Sequence, residues 1–479
     1  MSSSQDPVLE QQTPELSIRA RSDSSVARPV IIFFSTAIVW LFLGTVFGVI
    51  TSLKFNYPDF LGSIPQLTFG RIRPAHLNAV IYGWASLALA GCYIWLTARL
   101  CRTEIKWKKL LYISAVLWNL GVLVGIIDLF IGNSAGQEWI EFPRHAASII
   151  MVAAVLFSMS ILRTFRARNV EHIYVSLWYI LASVVWFPVL YVLIYIPIYR
   201  GVTQAAANWW FAHNVLTVWF TPAGLAAAYY LIPKVIGRPI HSYYLSLLGF
   251  WSFALFYNWN GIHHLVGGPL PTWLISVSII ASVLMFIPVI TVAINHHLTM
   301  VGHFKKLKYS PTLRFVVFGA MCYTAVSFQG SLEALRWQSE VTHFTHYTIG
   351  HAHLGLYAFV TMILFGSIYY IMPRIVNWEW PYPWMIKLHF WFVAVGILIY
   401  VLSMNIGGVI QGLYMNDPSK PFMESVEVTK PYLAVRSVSG VLILIGHMFF
   451  ITIFYLMLRR KGLPRTSPPW VSRDEVSKP

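Results

Sequence analysis

Apolar runs of roughly 20 residues, each long enough to cross a ~30 Å hydrocarbon core as a helix, recur about twelve times in this chain. They begin near Ile31, Ala75, Leu110, His145, Val175, Asn208, Tyr244, Trp273, Leu313, His343, Ile386 and Tyr432. That recurrence constrains the fold more than any motif, because lipid offers no hydrogen bonds and each run must satisfy its own backbone as a helix. With 57% hydrophobic and only 11% charged residues, the composition excludes an ordinary soluble domain. The expected fold is all-α: a polytopic membrane bundle of about twelve helices over residues 29–462. It is flanked by a disordered Ser-rich tail at 1–28, with no cleavable signal core, and a second tail at 463–479.

The positive charge is informative through its placement. With the N-terminus inside, alternate loops collect 25 of the 34 Lys and Arg on the inner side, so the positive-inside rule puts both termini in the cytoplasm. The basic balance is a topology signal and gives no reason to invoke nucleic acid. Cys92, Cys101 and Cys322 are scattered, and no CxxC or CxxCH spacing occurs. Disulfides, thiolate metal sites and covalently attached c-type haem are therefore unsupported.

Against this apolar background the histidines stand out. His351 and His353, in the run Thr348-Ile-Gly-His-Ala-His-Leu-Gly, point roughly 200° apart on a helix. They cannot share one small ion, but they can serve two planar cofactors on opposite faces, and imidazole is the usual axial ligand of b-type haem. Ionisable groups inside a span are functional candidates in any case. Running the spans through the membrane places His76, His213, His263, His264, His351 and His353 together in the outer third. His296-His297, at the inner end of the eighth span beside Lys305 and Lys306, reads as interfacial. A transporter with histidine proton relays would spread its polar groups through the bundle and leaves this common depth unexplained.

Three imidazoles on two helices, His213 with His263 and His264, make a metal site with an open position, suited to a redox copper or iron. Tyr257 lies seven residues before His264, about two helical turns, on the same face. Arg71 and Arg73 precede His76 at the outer interface and can pair with carboxylates such as haem propionates. Glu138 and Glu141, in the outer loop after the third span, are either solvated or ligands for a divalent cation such as calcium. No Asp or Glu falls in the inner half of any span, so a proton route from inside must use hydroxyls. Ser246 lies eleven residues before Tyr257 on nearly the same helix face. It leads toward Tyr243, with Tyr229 or Tyr230 on the neighbouring span and Tyr323, Thr324 and Ser327 on the ninth.

Taken together, Arg71-Ile-Arg-Pro-Ala-His-Leu-Asn-Ala-Val, Trp209-Trp-Phe-Ala-His-Asn, Ile232-Pro-Lys-Val-Ile-Gly-Arg-Pro, Tyr257 to Leu265 and Thr348-Ile-Gly-His-Ala-His resemble the catalytic subunit I of the haem-copper oxidases, and specifically of cbb3-type cytochrome c oxidase. The resemblance covers nearly all the spans. It implies a terminal respiratory oxidase of the inner (cell) membrane that reduces O2 to water with electrons from cytochrome c, coupled to proton uptake. His76 and His353 would ligate the low-spin haem b, His351 the high-spin haem b, and His213, His263 and His264 copper. Tyr257 matches the tyrosine that this family joins covalently to the copper histidine of the sixth span, a donor of an electron and a proton. Ser246 and Tyr257 match the family's single proton channel, and membrane-anchored c-type cytochrome subunits are the implied partners.

Two departures stand out. The ninth span reads Phe328-Gln329-Gly330 where the family has Phe-Glu-Gly, with Glu333 one turn on, and Leu265-Val266 follows the histidine pair where a further histidine is usual. The rival reading, a nitric oxide reductase with non-haem iron, would want a carboxylate near Thr217 and gives Tyr257 no role.

Overall fold

The computed structural model describes residues 13–465, and among these it is helical with no β-strand beyond one isolated bridge between Trp378 and Pro464. Numbered along the chain, the helices are α1 (Thr13–Leu53), α2 (Phe69–Leu100), α3 (Lys108–Ile131), α4 (Arg144–Arg166), α5 (Val175–Tyr195), α6 (Val202–Ile236), α7 (Tyr243–Phe256), α8 (Thr272–Met300), α9 (Pro311–Glu333), α10 (His346–Val376), α11 (Pro383–Met415) and α12 (Lys430–Leu458). Eleven of the helical stretches are long and apolar enough to cross a membrane, and the chain is a multi-pass membrane protein. The exception is α7. At 14 residues it spans only about 21 Å, because the chain leaves the α-helix at Tyr257 and continues as two short 3₁₀ turns, Tyr257–Trp259 and Ile262–Leu265. It packs against α5 and α8.

The disordered tail expected over 1–28 is corrected from Thr13 onward, where the chain is already the start of α1; residues 1–12, and 466–479 of the second tail, lie outside the described residues. The polar stretch folds because its polar groups find partners. Asp23, 4% exposed, accepts from Arg99 Nη1 at 2.9 Å and Trp95 Nε1 at 3.0 Å, while Ser25 Oγ accepts from the backbone of Ile105. A second correction follows: a carboxylate does stand within a span, at the end of the bundle expected to face inward. It is matched to an arginine, as a buried charge must be. His296 also departs from expectation, being buried with its ring 4.5 Å from that of Tyr229, while His297 is exposed.

Three helices form the centre of the bundle: α2, α6 and α10. In each, the α-helix gives way to a widened π turn just after a histidine, at Ala79–Ala85 behind His76, Leu216–Phe220 behind His213, and Leu354–Thr361 behind His353. A π turn admits an extra residue and rotates the helix beyond it, and such turns cluster at functional sites. Here each one lets the histidine aim into the bundle while the rest of the helix keeps its packing.

Candidate functional site

A cavity of about 610 Å³ runs between these central helices, and all six histidines line it. At one side His76 and His353 face each other with ring centroids 6.4 Å apart and planes within 13°. Each Nδ1 lies against a backbone carbonyl, His76 on Gly44 O at 2.7 Å and His353 on Ile349 O at 2.9 Å. Because a carbonyl only accepts, both Nδ1 atoms carry the proton and both Nε2 lone pairs are left for a ligand. Imidazole nitrogens bind metals at about 2.0 Å, and with about 1.1 Å from nitrogen to ring centre, two axial imidazoles on one iron have centroids about 6.2 Å apart. The observed gap fits a bis-histidine haem. Tyr400 stacks on His353, ring centroids 4.4 Å apart.

At the other side, one ligand nitrogen from each of His213, His263 and His264 can be chosen so that all three lie within 4.8 Å of one another. Ser282 Oγ lies 3.0 Å from His263 Nδ1, Ser278 Oγ accepts from the His263 backbone, and Trp209 stacks on His264 at 4.5 Å. His213 Nδ1 is buried without a hydrogen-bond partner. Three neutral imidazoles held by serines and an indole are a donor set for copper or another borderline metal with a position left open. Tyr257 lies beside them, its ring 6.2 Å from that of His213. The helical spacing argued from sequence is not what places it: the turn at Gly261, φ +104°, breaks the helix between Tyr257 and His263. A Cβ there would come within 2.7 Å of Trp209 O and 3.0 Å of His213 Cβ, so glycine lets the His263-His264 turn close onto α6.

His351 lines the same cavity. Its ring packs so tightly on α9 that a Cβ on Gly330 would sit 2.9 Å from its Cε1. Glu333 Oε2, one turn beyond Gln329, is 3.6 Å from its Nδ1, beyond hydrogen-bond distance. Gln329 is half-buried, and its side chain interacts with that of Tyr347.

The expected arginines separate. Arg73 lines the cavity, 3.7 Å from Glu141 and 3.8 Å from Glu138. Arg71 instead donates to Phe130 O at 3.0 Å, outside the residues lining the cavity. Glu141 is not solvated: it is 5% exposed and accepts from Asn78 Nδ2 at 2.7 Å. Burial pushes its carboxyl up to about 7, against the opposing pull of Asn78 and Arg73. Arg436 was missed in the sequence. It is 8% exposed, lines the cavity, lies over Phe55 and Tyr400, and leaves Nε and Nη1 unpartnered. The signal was there, an arginine six residues into the last span, where charge is costly without a purpose.

Of the hydroxyl route, Ser246 is buried but donates to Tyr243 O at 2.6 Å, and Tyr243 donates to Ile173 O. Thr324 likewise bonds its own helix at Ala320 O. Tyr323 and Ser327 line the cavity with Tyr257, while Tyr179 stacks on Tyr229, 6.1 Å between centroids, deeper in the bundle.

The comparisons with known proteins agree with this geometry. The family described as Cytochrome C and Quinol oxidase polypeptide I matches residues 28–442. The chain belongs to that family. It is 31% identical to the cbb3-type cytochrome c oxidase subunit CcoN1 of Stutzerimonas stutzeri, over 86% of this chain and 91% of that one. A cytochrome c oxidase subunit 1 homolog of Azorhizobium caulinodans is 28% identical, over 94% and 85%. A nitric oxide reductase chain of Stutzerimonas stutzeri is 25% identical, over 90% and 94%. A solved haem-copper terminal oxidase dimer shares the fold, with TM-score 0.72 at 16% identity over 92% of this chain and 86% of that one. As a member of this family the protein is an oxidoreductase of the cytochrome c oxidase type, related through its cbb3-type homologues to terminal respiratory oxidases.

Proposed function

We propose that this chain is the catalytic subunit of a cbb3-type terminal oxidase that reduces O2 to water, taking electrons from membrane-anchored c-type cytochrome subunits in the bacterial inner membrane, with both its termini in the cytoplasm. The observation that carries the proposal is the placement of three convergent imidazoles across one cavity from His351, beside the facing pair His76 and His353. His76 and His353 would hold a low-spin haem b, His351 a high-spin haem b, and His213, His263 and His264 a copper. Those groups, when bound, supply the electrons and the O2-binding position.

The protein's own residues do the rest. Ser278 and Ser282 orient His263, and Trp209 fixes His264. Arg73 and Arg436, charged donors facing the cavity, would neutralise the haem propionates; Arg71, committed to Phe130, is withdrawn from that role. Arg73 lies between Glu138 and Glu141 in the place a divalent cation would take, so calcium is not carried into the proposal. Glu333, whose Oε2 is 3.6 Å from His351 Nδ1, is the carboxylate nearest the position where Gln329 replaces the family glutamate. Tyr257 delivers a proton and an electron beside His213 and is resupplied from the opposite end through Tyr323, Tyr179 and Tyr229. Ordered water can bridge such buried phenols, whereas the hydroxyl of Ser246 is spent on its own helix.

Metal analysis with a pyridine haemochrome assay on the purified protein tests the reading. Two haem b and one copper per chain, with O2 uptake driven by a reduced c-type cytochrome, is the expected result. Haem with non-haem iron, no copper, and turnover of nitric oxide would overturn it in favour of a reductase. Thr217 already weighs against that outcome, because its hydroxyl donates to the carbonyls of His213 and Asn214 and offers no carboxylate to iron.

A further inference from the structure

On the low-spin side of the cavity lies a second tyrosine–histidine pair, separate from Tyr257 and His213. Tyr357, one turn after His353 on α10, lines the cavity, and its Oη is 2.7 Å from Nε2 of His447 on α12, a residue with no solvent exposure. His447 Nδ1 lies 3.0 Å from Thr45 Oγ1 on α1. The protons in this chain can be assigned. Thr45 Oγ1 donates to Leu41 O at 2.6 Å, so its single hydrogen is spent and it can only accept from His447. Nδ1 therefore carries the imidazole proton, Nε2 offers its lone pair, and Tyr357 is the donor. Around the imidazole, α10 contributes Phe365 and α11 contributes His389, with ring centroids 5.7 Å and 6.4 Å away.

A buried phenol that loses an electron becomes strongly acidic, and a cation left in a low-dielectric interior is costly. A neutral imidazole with a free lone pair at hydrogen-bond distance takes that proton and replaces the radical cation by an imidazolium, a far weaker acid whose charge is shared with its hydrogen-bond partner Thr45. We infer that Tyr357 and His447 form a reversible proton-coupled redox pair serving the low-spin side of the cavity, an inference that rests on the haem-binding reading above. In the forward step Tyr357 would give up one electron, the acceptor being an oxidised haem of the kind His76 and His353 would hold. The O–H bond breaks and the proton crosses to His447 Nε2. The products are a neutral tyrosyl radical and an imidazolium that still donates to Thr45. An electron from the donor chain returns the proton to oxygen and restores the pair. The pair thus stores one oxidising equivalent away from Tyr257.

The test uses purified protein of measured haem and copper content, reacted with hydrogen peroxide and frozen for electron paramagnetic resonance. The Tyr257→Phe background removes the radical expected beside the metal-binding histidines. In that background a tyrosyl signal that narrows with ring-deuterated tyrosine is expected. It is lost when Tyr357→Phe is added, and lost also with His447→Gln, which keeps a hydrogen-bond acceptor but no base. A signal of undiminished size in either double variant, with haem content unchanged, overturns the pair; a merely structural Tyr357 would give that result. Protein that binds no haem overturns the proposed function as well, so the two failures are distinct.

Discussion

The three central helices and the eight outer membrane-length helices obey different rules. Along the most apolar window of α2, α6 and α10, 94%, 89% and 83% of residues are buried, against 39–56% in the others. The outer helices keep one face for lipid, with Val116, Leu123 and Ile127 of α3 exposed at 67%, 48% and 52%. The central ones have no lipid face to spare, and they carry His76, His213, His351 and His353 together with all three π turns. The contrast teaches that four of the six cavity histidines stand on helices buried all round, where a side chain's direction is set by neighbours on every side, while His263 and His264 are brought to them by the turns after α7.

The sharpest way to break that contrast is at a ligand. If His76 and His353 hold a haem as proposed, replacing His353 by Ala should halve the pyridine-haemochrome absorbance per chain; full haem content would overturn the assignment of His353 as a ligand.

The joint between the two regions is Glu141, whose loop links outer helices α3 and α4 while its carboxylate receives Asn78 of α2. Its carboxyl is raised from 4.5 to about 7 by burial, so the folded state binds the proton more tightly than the unfolded one. The stabilisation this gives is fully present below about pH 4.5 and is lost as pH rises through about 7. At 1.36 kcal/mol per unit this amounts to about 3 kcal/mol. Melting in detergent should therefore show a stability loss between pH 5 and 7.5 that Glu141→Gln lacks, and identical pH profiles for the two proteins would refute the assignment.

Gly330→Val should cost about 1–3 kcal/mol by overpacking and perturb the high-spin haem spectrum through His351, since its Cβ has nowhere to go. An unaltered spectrum would show that α9 can give way. At the small end, Val116→Ala on the lipid face of α3 should change stability by no more than about 0.5 kcal/mol, because lipid is as apolar as the side chain removed. A larger loss would place a partner subunit on that face.

Much of the fold was legible because span length and apolarity are local properties. The run near Tyr432 is α12 and the run near Leu313 is α9, each displaced by only two residues. The miss at α7 came from reading Tyr257 to His264 as one helix, when Asn260 and Gly261 turn the chain. The six histidines could be named from type and depth. Their right neighbours could not: Arg436 comes from the twelfth helix to sit over Phe55 of the first outer loop, and Thr45 and His447 are joined across 402 positions of sequence. Asp23 was hidden by its polar surroundings, which look like a tail until Arg99 and Trp95 close on them.

The sequence by itself determined that the chain must be a bundle of membrane helices with imidazoles gathered near one side, because in lipid each helix satisfies its own backbone and the positions of histidines along it set their depth. Only the tertiary structure decided which imidazoles face one another, which arginine reaches the cavity and which hydroxyl meets which nitrogen. Those depend on how each helix is rotated about its own axis, and that rotation is fixed by close packing between helices far apart in sequence, with π turns and single glycines adjusting it by a residue at a time.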